Sequence, residues 1–180
     1  MLKPILIENE NLIIHPFRST DFDRYGQLVD DIYSILSDSQ TLKFIPTKRL
    51  HNIKEAEHYL NTMIINYHTG KKYLHFITDK NHDKVVGMVD LISPAVAMEH
   101  YNITNYPYFI EFYLSSSMTG CYIMTELLPM IVESISRQGI TELGAIVNRK
   151  NIAARKVLEN AQFTYKARFD ILQDLYEIQS

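Results

Sequence analysis

A single cysteine, Cys121, in 180 residues excludes an internal disulfide and any zinc cluster built on cysteine pairs. A formal net charge of −3 leaves no positive field of the kind that gathers nucleic acid or an anionic membrane surface. No apolar run approaches the roughly 18 residues that a bilayer-spanning helix needs. No Walker-type phosphate loop, paired zinc spacing, internal repeat or linker-like segment interrupts the chain. The opening Met-Leu-Lys-Pro-Ile-Leu-Ile-Glu-Asn-Glu carries charge too early and too often for a secretory signal, so a reducing, cytoplasmic setting is expected. What remains is ordinary: 46% hydrophobic and 22% charged residues suit one domain over residues 1–180 with a full core.

Hydrophobic spacing orders the elements. Residues 11–17 read as a first strand that Pro16 ends or places at an edge. Thr20, with Asp23 three residues on, offers an N-cap for a helix over 21–36, where Phe22, Tyr25, Val29, Ile32 and Leu36 share a face. Residues 37–50 read as loop. A second amphipathic helix carries Ile53, Ala56, Leu60, Met63, Ile64 and Tyr67, and Gly70 stops it. Tyr73–Thr78 and Val85–Ile92 form a hairpin around Asp-Lys-Asn-His-Asp. Residues 93–105, with Pro94 and two asparagines, are expected to be an irregular surface loop. Strands follow at 106–114 and 140–148, a helix at 151–161, and a closing strand pair at 163–169 and 171–178. The predicted order is β-α-α-β-β-β-α-β-α-β-β, a mixed sheet flanked by helices rather than a repeating βα unit.

The chain is organised around Tyr108-Phe-Ile-Glu-Phe-Tyr-Leu-Ser-Ser-Ser-Met-Thr-Gly-Cys-Tyr-Ile-Met-Thr-Glu126. An apolar strand runs into a short polar turn with Gly120 and then a helix bearing Ile123, Leu127, Leu128, Ile131 and Ile135 on one side. Such a junction aims backbone N–H groups and the positive end of a helix dipole at one point, which suits a phosphate or pyrophosphate. A lone glycine in a strand-to-helix turn is more often simply a turn, so the neighbouring motifs decide.

Three of them do. Leu12-Ile-Ile-His-Pro-Phe-Arg-Ser-Thr-Asp21 resembles the L-x-L-R-P-F-x-x-x-D opening of one branch of the GNAT N-acetyltransferases. Gly120, Thr125 and Glu126 resemble its G-K-G-Y-x-T-E turn, and Asn151-Ile-Ala-Ala-Arg-Lys-Val-Leu-Glu-Asn-Ala-Gln-Phe163 resembles its N-x-A-S-x-x-V-L-E-K-L-G-F helix. The likeness spans nearly the whole chain, with its anchors in order. That branch acetylates ribosomal-protein N-termini and small-molecule amines. The resemblance implies a GNAT-type α+β fold with a mixed, mostly antiparallel sheet, and transfer of an acetyl group from acetyl-coenzyme A to a primary amine.

It also implies a site. The pantetheine arm would run beside Phe112, Tyr113 and Leu114, and a backbone N–H near Tyr113 or Leu114 would polarise the thioester carbonyl. The pyrophosphate would sit on Met118, Thr119, Gly120, Cys121, Tyr122 and Ile123, with Asn151 and Ala154 beside the cofactor arm. Glu111, the carboxylate that interrupts the apolar strand, is the candidate general base; its plainer reading is a solvated outward-facing acid. Asn151 reads equally as a helix N-cap, and the two readings are compatible.

Several residues depart from the family pattern. Tyr122 stands where a second small residue is usual and would either crowd the pyrophosphate or point away from it. Cys121 replaces a basic residue. Ala154 and Leu158 stand where related branches carry the Ser and Tyr hydroxyls suited to protonating a departing thiolate. Gln162 replaces a glycine, and Pro129 should cost the main helix a hydrogen bond and kink it. These changes keep open a second reading, a non-catalytic binding module that retains the fold. Cys121 at a helix N-terminus is a candidate nucleophile with no histidine close in sequence. His51, Glu55 and His58 lie near one another but make no expected metal site, and none is expected elsewhere. Tyr101, Tyr106, Tyr108 and Tyr113 are either ordinary packing or an aromatic wall for the acceptor. Homodimerisation is compatible with the exposed edges such a sheet would present.

Overall fold

The computed structural model describes residues 2–101, 103 and 107–179. The chain divides into two compact units: Met1–Asp90 with Phe112–Thr119, and Leu91–Glu111 with Gly120–Ser180.

In the first unit β1 (Ile7–Glu8) pairs antiparallel with β2 (Leu12–His15), and β2 pairs antiparallel with β3 (Lys72–Asp79). β4 (Lys84–Ile92) follows, and the C-terminal half of β5 (Tyr108–Leu114) continues the order. Tyr73 to Thr78 are all buried, so β3 is covered on both faces, which explains a near-continuous apolar run rather than alternation. α1 (Tyr25–Ser37) contributes Leu28, Val29, Ile32, Ile35 and Leu36 to the core, and α2 (Ile53–His68) contributes Ala56, Leu60 and Met63. They pack with Leu74, Phe76, Val85, Met88 and Tyr113. Each such side chain stabilises by about 1.5–3 kcal/mol when fully buried. Asp31, on the same helix, is buried because its carboxylate accepts the Val85 N–H at 2.8 Å, which ties α1 to β4.

The second unit holds the N-terminal half of β5, then β6 (Glu142–Asn148), β8 (Gln173–Gln179) and β7 (Thr164–Arg168). β5 and β6 are parallel, with Tyr108 opposite Leu143 and Phe109 opposite Gly144. Parallel neighbours require a crossover, and α4 (Ile123–Ser136) supplies it. Gly144 is required there, because a Cβ would lie 2.6 Å from the Phe109 ring. β8 pairs antiparallel with both β6 and β7. α5 (Ile152–Asn160) packs on α4. Phe109, Ile92, Val96, Ala97 and Leu175 form a second core, with Tyr101 edge-on to Phe169.

The strands are mostly antiparallel and, with five α-helices among the described residues, make the α+β fold with a mixed sheet that the family resemblance implies. Two expectations need correction. Residues Pro94–His100 form a helix, α3, where an irregular loop is predicted; Pro94 occupies its first turn, where a missing N–H costs nothing. Thr20 caps no helix: Ser19–Arg24 form a 3-10 turn entered at Arg18, whose N–H donates to the Asp21 carboxylate at 2.7 Å. α4 continues through Pro129, with Ile123, Leu127, Leu128, Ile131 and Ile135 buried as the spacing requires. Tyr106, expected to open the central strand, lies outside the described residues, as do the asparagines of the 93–105 stretch. No helix among the described residues is long and apolar enough to cross a membrane.

Candidate active site

The first unit carries Phe112, Tyr113, Leu114, Met118 and Thr119. Phe112 and Leu114 are half-buried, whereas Tyr113 is buried in the core with the Lys48 ammonium 5.9 Å from its ring centroid. The end of β5 is closely held. The Ser115 N–H donates to the Val86 carbonyl at 2.9 Å, and the Thr41 hydroxyl donates to the Leu114 carbonyl at 3.0 Å. Gly87 makes this approach available, since a Cβ there would stand 2.7 Å from both the Tyr113 oxygen and a Leu114 methyl. Beyond the strand, Ser116–Met118 form one 3-10 turn, closed by Met118 N–H to Ser115 C=O at 2.9 Å and Thr119 N–H to Ser116 C=O at 3.2 Å. The Ser115 and Ser117 hydroxyls are 2.9 Å apart.

The second unit carries Glu111, Gly120, Cys121, Tyr122, Ile123, Asn151 and Ala154. Glu111 is half-buried on β5. Gly120 has φ +84°, and Cys121 is exposed. Tyr122, the N-cap of α4, has φ 57° and ψ 12°, a left-handed conformation rare for a bulky residue, and its ring is 79% exposed. The first intrahelical bond at this end runs from Glu126 N–H to Tyr122 C=O at 3.1 Å. The amides of Ile123, Met124 and Thr125 therefore lie in the first turn, where the helix itself supplies no acceptor. Within the second unit these amides are a donor set suited to a pyrophosphate, so the residues present fit coenzyme A.

Asn151 is the N-cap of α5, its side chain accepting the Ala154 N–H at 3.1 Å. That satisfies the capping reading and engages one of its oxygen lone pairs. Leu158 lies in the core, 1% exposed, where it can pack but has no hydroxyl to offer a leaving group. Arg155 donates to the Tyr176 hydroxyl at 3.0 Å, fixing α5 to β8. His51 and Glu55 form an exposed pair at 3.1 Å.

One set of residues was not legible from the sequence. Asp38 and Thr41 lie in what reads as a plain loop, yet they reach the strand end, Asp38 holding the Thr41 hydroxyl that reaches the Leu114 carbonyl. The Asp-x-x-Thr spacing after a helix signals a local side-chain cap. Nothing in it reveals a partner more than seventy residues away.

The family model for the acetyltransferase (GNAT) domain matches residues 11–164. The chain belongs to the GNAT acetyltransferase family. It is thereby an acetyltransferase with acetyl-coenzyme A as co-substrate. Solved structures agree on the fold. The ribosomal-protein-S5-alanine acetyltransferase of Vibrio fischeri superposes with a TM-score of 0.74 at 15% identity, covering 97% of this chain and 96% of that one. An acetyl transferase of Salmonella typhimurium that modifies the N-terminal serine of ribosomal protein L7/L12 gives 0.70 at 16% identity, covering 96% of each chain. The Microcin C7 self-immunity acetyltransferase MccE, in complex with acetyl-CoA and AMP, gives 0.69 at 15%, covering 96% of this chain and 94% of that one. A comparison with curated protein sequences finds no match.

Proposed function

We propose that this GNAT acetyltransferase acts on a primary amine, with a protein N-terminus the favoured acceptor and a small-molecule amine the alternative. The observation that carries the reading is the turn at Gly120–Ile123, where Tyr122 keeps a left-handed backbone conformation that a glycine adopts freely. A bulky residue held there preserves the direction of the N–H groups that follow. The Vibrio neighbour, a ribosomal-protein-S5-alanine acetyltransferase, and the Salmonella neighbour, which modifies an N-terminal serine of a ribosomal protein, favour the protein acceptor.

In this reading Met118 to Ile123 hold the pyrophosphate, and backbone groups of Phe112 to Leu114, with Asn151 and Ala154, hold the pantetheine arm. Acetyl-coenzyme A supplies a thioester carbonyl open to attack by an amine. Glu111 takes a proton from the acceptor's ammonium, directly or through water, and so frees the amine lone pair that attacks the carbonyl. A backbone N–H of Tyr113 or Leu114 donates to the negative charge that develops on the carbonyl oxygen. A coenzyme A thiolate leaves without obligatory protonation, so Ala154 and Leu158 slow the reaction rather than forbid it. One acyltransferase domain over residues 1–180 and a cytoplasmic setting complete the reading, which is compatible with a homodimer.

The experiment is a coenzyme A titration followed by a thiol-release assay over N-terminal peptides and small amines. Release with peptides beginning in Ser or Ala supports the reading. Release with small amines alone moves the acceptor class. Binding with no release from any acceptor favours the fold as a binding module.

A further inference from the structure

The connection between α1 and α2 is fastened to the far end of β5. Asp38 ends α1, and its carboxylate accepts the Gln40 N–H at 3.2 Å, the Thr41 N–H at 3.3 Å and the Thr41 hydroxyl at 3.0 Å. The Thr41 hydroxyl stands 3.0 Å from the Leu114 carbonyl as well, so its single hydrogen is shared between two acceptors. Two consecutive residues are thus pinned by two different groups. Leu114 is held through its carbonyl by Thr41, and Ser115 through its N–H by Val86. These are the residues at which the strand gives way to the turn. Buried Leu42 and the Lys48–Tyr113 contact anchor the same connection.

The sign of the charge makes this arrangement informative. The nearby Ser116 hydroxyl foremost, with the Gln40 and Thr41 donors, holds the Asp38 carboxyl down to about 2, so it is ionised at neutral pH. A carboxylate fastened through Thr41 to the strand end just before a turn proposed to take a pyrophosphate repels that ligand. An acid retained there is explained by what it holds in place, not by what it attracts.

We propose that Asp38 and Thr41 are positioning residues for acetyl-coenzyme A, fixing the Leu114 end of β5 before the cofactor arrives. The inference rests on the cofactor turn proposed above. A segment already ordered loses less conformational freedom on binding, and that gain appears as affinity rather than as rate of the chemical step.

The test is calorimetric titration with coenzyme A of the wild-type chain and of Asp38→Asn, Thr41→Val and Thr41→Ser, with steady-state kinetics and amide exchange of residues 114–119 in the free protein. Thr41→Val and Asp38→Asn are expected to weaken coenzyme A about 5- to 20-fold, the loss of one or two hydrogen bonds. KM for acetyl-coenzyme A should rise in parallel with kcat nearly unchanged, exchange should quicken, and Thr41→Ser should restore all three. Tighter or unchanged binding in Asp38→Asn overturns the proposal, because charge repulsion then outweighs the latch. So does unchanged binding in Thr41→Val, which keeps the test open if Asp38→Asn fails to fold. A wild-type chain that binds no coenzyme A overturns the cofactor turn itself, and the proposal with it.

Discussion

Gly87 and Leu114 stand so close that a single added carbon at Gly87 would lie 2.7 Å from a Leu114 methyl and equally near the Tyr113 carbonyl oxygen. One of those neighbours is backbone and cannot rotate away. The contact fixes where β4 meets the strand segment proposed to hold the pantetheine arm. Gly87→Ala should therefore cost about 1–3 kcal/mol, as overpacking of a close core does. It should also weaken coenzyme A binding, since Tyr113 and Leu114 must shift. Urea unfolding and calorimetric titration read the two effects. Full stability would show that the strands separate freely at this point.

A buried histidine sets a pH dependence. His75 is 1% exposed, its Nδ1 donates to the Tyr73 carbonyl at 2.8 Å, and its Nε2 accepts the Ile5 N–H at 3.2 Å. Burial lowers its pKa from 6.5 to about 4, and nearby His15 pushes the same way. The folded chain then refuses a proton that the unfolded chain accepts below pH 6.5. Stability is complete above 6.5 and declines as pH falls from 6.5 towards 4. This histidine alone accounts for about 2 kcal/mol lost by pH 5 and roughly 3 by pH 4. His75→Gln retains one donor and one acceptor, so its unfolding free energy should fall less between pH 7.5 and 5. Equal slopes in both proteins would place the acid sensitivity elsewhere.

Much of the architecture was legible because it is carried by periodicity and punctuation. Ile53 to Tyr67 with Gly70, and Ile123 to Ile135, specify helices whatever surrounds them. The helix at Pro94–His100 was not, because seven residues are too few for a period and Pro94 signals a break as readily as a first turn. The turn into α4 was legible as a motif, but the left-handed backbone at Tyr122 was not, since a tyrosine argues against it. Asp38 and Thr41 were illegible for a different reason. Their local spacing is a common cap, and only folding brings Leu114 to it.

Glu111→Gln tests the proposed base. The substitution keeps size and hydrogen-bonding capacity and removes the ability to take a proton at neutral pH. If Glu111 deprotonates the amine, kcat should fall about 10²- to 10⁴-fold while coenzyme A affinity holds. The lost activity should return partly at high pH, where the amine acceptor is already unprotonated. An unaltered kcat would make Glu111 a polar strand residue and nothing more.

Tyr122→Gly separates a backbone contribution from a side-chain one. Left-handed backbone costs an L-residue roughly 1–2 kcal/mol, and glycine gives back about 0.5–1 of that through its freer unfolded chain. The Tyr122 ring is 79% exposed, so little packing is lost with it. The variant should therefore be more stable by up to about 1 kcal/mol in chemical denaturation. If the turn serves coenzyme A through its N–H groups alone, the glycine variant should bind at least as tightly as the parent. Weaker binding in a more stable protein would mean that the ring itself touches the cofactor. Tyr122 would then belong to the site by its side chain, and the departure from a small residue at this position would be a change of contact rather than a loss of one.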